Sequence, residues 1–225
     1  MNKLLWQHFD VELQMRRYIC GGTPKDPKSI EAWIRATVED KNKLEQLIRQ
    51  AKVDVGADGL SDEDLETLKQ SCWNTFRANE RGPFLEGRCC KAMLKESANI
   101  IRNIVNVANM KSKIAERVFV VEEEIYLGAI TGSYEGFIHA WTPQGPISAL
   151  KRVDYVERPI IKFTLKVLNE PLVSKDKKQL SPGTYLPILF EFGGENGLGS
   201  ERSQGHGKYD LVKLERQAES VTARD

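Results

Sequence analysis

Phe9, Val11, Leu13 and Met15 alternate with Asp10, Glu12, Gln14 and Arg16, the period-two pattern of a half-buried strand. The alternation returns over 160–168, where Ile161, Phe163, Leu165 and Val167 interleave with Lys162, Thr164 and Lys166. Between these runs, 117–127 (RVFVVEEEIYL) is β-branched and aromatic and reads as a strand. Residues 134–141 and 148–156 read as a hairpin joined through Thr142-Pro143-Gln144-Gly145-Pro146. Tyr209 to Leu214 reads as a last strand. Helical spacing takes over from Cys90 to Met110, where Met93, Ser97, Ile100, Ile101, Ile104 and Ala108 share a face. A shorter helix opens at Ser181-Pro182-Gly183-Thr184 and carries Leu186, Leu189, Phe190 and Phe192.

The stretch after the first strand has a different character. Cys20-Gly21-Gly22-Thr23-Pro24 is a turn signal. Asp26 is then an N-cap with Pro27 at the first helical position, followed by Ile30, Trp33, Ile34, Thr37 and Val38 at helical spacing. Leu44, Leu47, Ile48 and Ala51 mark a second stripe. Ser61 caps a third helix, with Asp62, Glu63 and Asp64 in its first turn, carrying Leu65, Leu68, Cys72, Trp73 and Phe76. Residues 26–80 are thus predicted as a helical insertion that stops before Gly82-Pro83. The remaining pieces run β, α, β, β, α, β. The fold expected is α+β: a ferredoxin-like (RRM-like) βαββαβ core with the helical insertion after its first strand and an extra β-hairpin at 130–157. One domain spans 1–216, and 217–225 is a polar tail.

Composition limits what this fold can do. The 225 residues carry a net charge of +1, so a nucleic-acid site has to be a local patch rather than a global basic excess. The four cysteines, Cys20, Cys72, Cys89 and Cys90, form no C-x-x-C pair, and free thiols in a reducing cytoplasm follow. No apolar run approaches the roughly 20 residues of a membrane helix, and the first residues lack a signal-peptide core, so a cytoplasmic protein without membrane partners is expected. Nothing points to a cofactor. Glu122, Glu123 and Glu124 are consecutive, so only the outer two share a strand face, and a solvated edge or partner surface suits them better than a metal.

Two stretches carry candidate chemistry. Gly193 to Leu211 holds glycines at 193, 194, 197, 199, 205 and 207, with Arg202, His206 and Lys208 among them. It is neither a Walker loop nor a dinucleotide fingerprint, because it runs from helix to strand and lacks both spacings. What it offers is backbone able to approach a ligand closely, beside positive charge. The second stretch, FLEGRCCKAMLKESA, places Gly87 just before a helix start, with Arg88, Lys91 and Lys95 on the first turns.

Together these stretches resemble the RAMP (repeat-associated mysterious protein) superfamily, whose members build class 1 CRISPR ribonucleoprotein complexes. Phe84 to Lys95 is similar to the family segment "yIPGSSLKGALR" in the spacing of its glycine, lysine and second basic residue. Gly197 to Tyr209 is similar to the family loop "GlGakRsrGfGkvev". Glu86 stands where the family usually has proline, Cys89 and Cys90 replace small hydroxyl residues, and 26–80 matches no family motif.

The resemblance implies a non-catalytic subunit that binds single-stranded RNA, coating a guide RNA as a repeating backbone beside other copies of itself and other subunits. The implied contacts are Arg88, Lys91, Lys95, Gly197, Gly199, Arg202, Ser203, Gly205, His206 and Lys208, with a thumb-like hairpin carrying His139, Trp141, Lys151 and Arg152. Two alternatives stay open. An RNA-processing endoribonuclease of the same superfamily needs a histidine, and His8, His139 and His206 are the three available. Metal-dependent cleavage would need an aspartate after the first strand, where Asp26 stands without the matching local sequence. The other alternative is a phage- or plasmid-encoded interaction protein, a mimic or inhibitor that keeps the fold.

Overall fold

The computed structural model describes residues 5–25, 71–142 and 145–218, and of 71–72, 137–142 and 145–150 it describes the backbone alone. The strands are β1 (Trp6–Met15), β2 (Tyr18–Cys20), β3 (Thr23–Pro24), β4 (Ser71–Thr75), β5 (Arg77–Asn79) and β6 (Gly82–Glu86). Helices α1 (Gly87–Ile101) and α2 (Met110–Arg117) follow, then β7 (Val118–Val120), β8 (Glu124–Tyr126), β9 (Gly132–Thr142), β10 (Gly145–Glu157) and β11 (Ile160–Leu168). The short pair β12 (Leu172–Val173) and β13 (Gln179–Leu180), helix α3 (Pro182–Asn196) and β14 (Tyr209–Arg216) complete an α+β fold.

The main sheet has the order β14-β1-β11-β7, and every pairing in it is antiparallel. Phe9, Val11, Leu13 and Met15 of β1 and Ile161, Phe163, Leu165 and Val167 of β11 are all buried on one face, as their alternation requires. Met93, Leu94, Ala98 and Ile101 of α1 and Tyr185, Leu186, Leu189 and Phe190 of α3 fill the same core. Each large aliphatic or Phe side chain among them contributes about 1.5–3 kcal/mol by leaving water. A second sheet runs β2-β10-β4-β3, with β9 paired to β10, and β5-β6-β8 forms a third.

Three sequence expectations change. The helix predicted to end near 80 does not reach that far: Ser71–Thr75 is a strand, parallel to β10 and antiparallel to β3, and Arg77–Asn79 is another. Trp73 and Phe76 fit a helical stripe, yet Trp, Thr and Phe also favour strands, and pairing on both edges decides. The rest of the predicted insertion, 26–70 with Asp26, lies outside the described residues. The helix expected over 90–110 ends at Ile101, and Asn106 and Asn109 sit at φ 54° and 53°, a region asparagine tolerates. The strand expected over 117–127 breaks at the glutamates into β7 and β8, which belong to different sheets. There the Glu122 carboxylate accepts from the Thr164 N–H at 2.7 Å, and the Glu123 carbonyl accepts from the Gly87 N–H at 2.8 Å.

Candidate functional site

The first turns of α1, the β2–β3 turn, the β5–β6 hairpin and the glycine loop enclose a cleft of about 310 Å³. Its apolar wall includes Phe76, Phe84, Ala92, Met93 and Leu198, while Arg77, Arg88, Arg202, Glu86 and Glu96 supply the charge. Two stretches far apart in sequence therefore meet: Arg88 comes from the helix start, and Gly197, Gly199 and Arg202 from the loop. Ser203 lines an adjoining recess with Arg202 and Asn196. Arg77 was missed by sequence reasoning because it lies in the stretch read as helix. Its signal was the strand-like Trp73-Asn74-Thr75-Phe76 run just before it.

The loop is folded on itself and onto β2. The Leu198 N–H donates to the Gly207 carbonyl at 2.9 Å, and the Gly207 N–H to the Tyr18 carbonyl at 3.0 Å. Ser200 donates through its N–H to the Cys20 carbonyl at 3.1 Å and through Oγ to the Gly21 carbonyl at 2.6 Å. Gly207 has φ +78°, and a Cβ there would come within 2.0 Å of the Leu198 carbonyl oxygen. Gly205 also has a positive φ, +84°, but a Cβ there would meet nothing within 4 Å. Much of the loop's glycine content thus serves its own closure, and several amides expected to face a ligand are bonded internally.

Every cation around the cleft has a carboxylate beside it. Arg88 donates to Glu86 at 2.5 Å and Arg77 to the other Glu86 oxygen at 3.0 Å. Burial acts to raise the Glu86 pKa, but the two guanidiniums prevail and hold it below the usual carboxylate range. Arg202 donates to Glu96 at 2.6 Å and lowers its pKa in turn. Lys208 and Arg16 share Glu195, at 3.2 and 2.6 Å. Arg88 keeps 73% of its side chain in solvent and Arg202 keeps 36%, and such pairs contribute only about 0–1 kcal/mol.

Lys91 and Lys95 do not line this cleft. The Lys91 ammonium donates to the carbonyls of Ile114 and Ala115, at 3.1 and 2.7 Å, and to that of Val118, so it closes the C-terminus of α2. Burial, with Lys95 nearby, pulls its pKa down to about 8, against carbonyls that favour the charged form.

The hairpin β9–β10 is rooted on the glycine loop. His206 packs against Tyr18 and Tyr134, with ring centroids at 4.9 and 5.4 Å, and Tyr155 stacks on Tyr18 at 4.6 Å. Burial lowers the His206 pKa, and the charge of Arg17 lowers it further. Lys151 pairs with Glu201, and both are largely buried, so this pair is a strut between hairpin and loop. Arg152 donates to Ser133 Oγ at 3.0 Å and lies over the Trp73 ring at 4.0 Å. His139 and Trp141 occupy β9 opposite Ser148 and Pro146, and their side chains lie outside the description. The three histidines sit in three places: His8 on β1 opposite Lys166, His139 on the hairpin and His206 in the loop.

Among the described residues no group of three or more His, Cys, Asp and Glu could hold a metal ion, and no helix is long and apolar enough to cross a membrane. No protein-family model and no curated protein sequence matches the chain.

Proposed function

We propose that the protein binds single-stranded RNA without cutting it, as a RAMP-like backbone subunit that repeats along the strand in the cytoplasm. The observation that carries this is the meeting of Arg88, Arg202 and the glycine loop in one cleft, joined there by Arg77. The strand order supports a ferredoxin-like core: numbered along βαββαβ, β14-β1-β11-β7 is 4-1-3-2, with α1 and α3 packed together on the buried face. Phosphates running past the cleft replace Glu86 and Glu96 as partners of exposed guanidiniums. Lys91, Lys151 and Arg152 then act as structural groups that hold the site's walls, and Lys208 extends the basic track beyond Arg202.

A second reading, a protein-interaction module on the same fold, is favoured by one observation: Arg77, Arg88, Arg202 and Lys208 each already have an acidic neighbour. Fluorescence anisotropy of a labelled single-stranded RNA at roughly 50 and 200 mM salt separates the two. The RNA reading predicts binding that weakens steeply with salt, and a salt slope that falls by about 1 in Arg88→Ala and again in Arg202→Ala. A strand that fails to bind at low salt would leave the interaction module.

A further inference from the structure

The arginines of the cleft, at the start of α1, are paired with carboxylates, but the cations beyond the other end of that helix are not. The 15 residues of α1 separate the two places by about 22 Å along its axis. After Ile101 the chain turns through 102–109, where Asn106 and Asn109 take positive φ, and enters α2. The turn at 174–178, between β12 and β13, lies against it. There the Lys175 N–H donates to the Asn106 carbonyl at 2.8 Å, and the Asn106 side-chain amide donates to the Asp176 carboxylate. Buried Val107 and Leu172 root the two loops in the core. Ile104 is 79% exposed, more than any other large apolar side chain among the described residues, and Ile100 and Val173 are exposed as well. The same two stretches, 100–113 and 173–178, hold six cations against the one carboxylate of Asp176. Lys178 approaches that carboxylate only to 4.0 Å. Among the described residues Arg102, Lys111, Lys175 and Lys177 have no carboxylate within that distance, and all four are exposed.

Exposed lysines alone are ordinary surface, and so is a single exposed isoleucine. Together they select a partner. A nucleic-acid strand would meet the cations but leave the three aliphatic side chains in water. An anionic bilayer takes both: its phosphates meet the ammonium and guanidinium groups, and short aliphatic side chains enter the boundary between headgroups and acyl chains. We propose that these two loops dock the protein reversibly on a membrane surface that contains anionic phospholipid, with Ile104 inserted and Arg102, Lys175 and Lys177 on lipid phosphates. Such a contact needs no spanning helix, and it does not rest on the single-strand reading above. One aliphatic tip within a basic patch gives a weak, salt-sensitive attachment rather than a permanent anchor.

The test sediments the full chain with vesicles of phosphatidylcholine alone, and of phosphatidylcholine with about one third phosphatidylglycerol, at roughly 50 and 200 mM salt. Binding is expected to the anionic vesicles only, and weaker at the higher salt. Ile104→Ser changes an exposed side chain, so the urea midpoint should stay at the parent value while vesicle binding loosens about tenfold. The double replacement Lys175→Ala, Lys177→Ala should loosen it about 25-fold, roughly fivefold for each cation. Neither variant should change the affinity for a single-stranded RNA measured in parallel, and the vesicle readout stands whether or not that strand binds. A parent chain that ignores anionic vesicles at low salt overturns the proposal. So does an Ile104→Ser chain that binds them as tightly as the parent, since cations alone would then account for the attraction. Variants that lose RNA and vesicles alike also overturn it, and assign the loops to the path of the strand.

Discussion

Replacing Gly207 and Gly205 separately by alanine asks what the glycines of the loop are for. At Gly207 the added methyl meets the Leu198 carbonyl oxygen at 2.0 Å and the Leu198 nitrogen at 2.8 Å, on backbone that has φ +78°. The left-handed conformation alone costs about 1–2 kcal/mol with a Cβ. Relieving the clash separates Gly207 from Leu198, and breaks the hydrogen bond between them and strains that to Tyr18, each worth about 1 kcal/mol. Gly207→Ala should therefore destabilise the protein by about 2–4 kcal/mol. At Gly205 the methyl meets nothing, so only the conformational cost of about 1–2 kcal/mol remains. Urea denaturation followed by tryptophan fluorescence reads both, with the midpoint shift at constant slope giving the difference. Two variants equally stable within about 0.5 kcal/mol would refute the claim that the loop's glycines serve its closure onto β2.

Further expectations follow from the same geometry. Lys91→Met removes the ammonium that closes α2 and should cost about 1–3 kcal/mol in the same denaturation assay, with strand affinity unchanged. Arg88→Ala should do the reverse, with stability within about 1 kcal/mol of the parent and weaker binding at low salt. His206 has a folded pKa below its unfolded value, so the unfolded chain takes up its proton first as pH falls. Its contribution is fully present above the unfolded value near 6.5 and is lost as pH drops through that value towards the lower folded one. His206→Gln should flatten the stability profile between about pH 7.5 and 6, measured by urea midpoints.

Much of the fold was legible because its core strands alternate cleanly. β1 and β11 appear in the sequence almost residue for residue, and the end of α3 and the start of β14 are bracketed by glycines and a tyrosine. What was not legible came from tertiary competition. Trp73 continues a helical stripe on paper, but the partners that make Ser71–Thr75 a strand, β10 and β3, lie far along the chain or across the stretch 26–70. The asparagines at 103, 106 and 109 were the available sign that α1 would stop early, since two of them take positive φ. In the site, Arg88 and Arg202 line one cleft, but the sequence could not reveal their carboxylate partners, because Glu96 becomes a neighbour of Arg202 only through the docking of the loop on α1. The resemblance implied Lys91 as a contact beside them, although its side chain reaches the α2 terminus instead.

The central claim is that this chain coats a single strand, and the most direct measurement is made on the protein as it comes from its expression host. The 260/280 nm absorbance ratio and the particle size are recorded before and after RNase. A coating subunit gives a high ratio and a large assembly that RNase collapses, and Arg202→Glu abolishes both. A nucleic-acid-free monomer or small oligomer, unchanged by RNase and unable to bind added single strands at low salt, would contradict it.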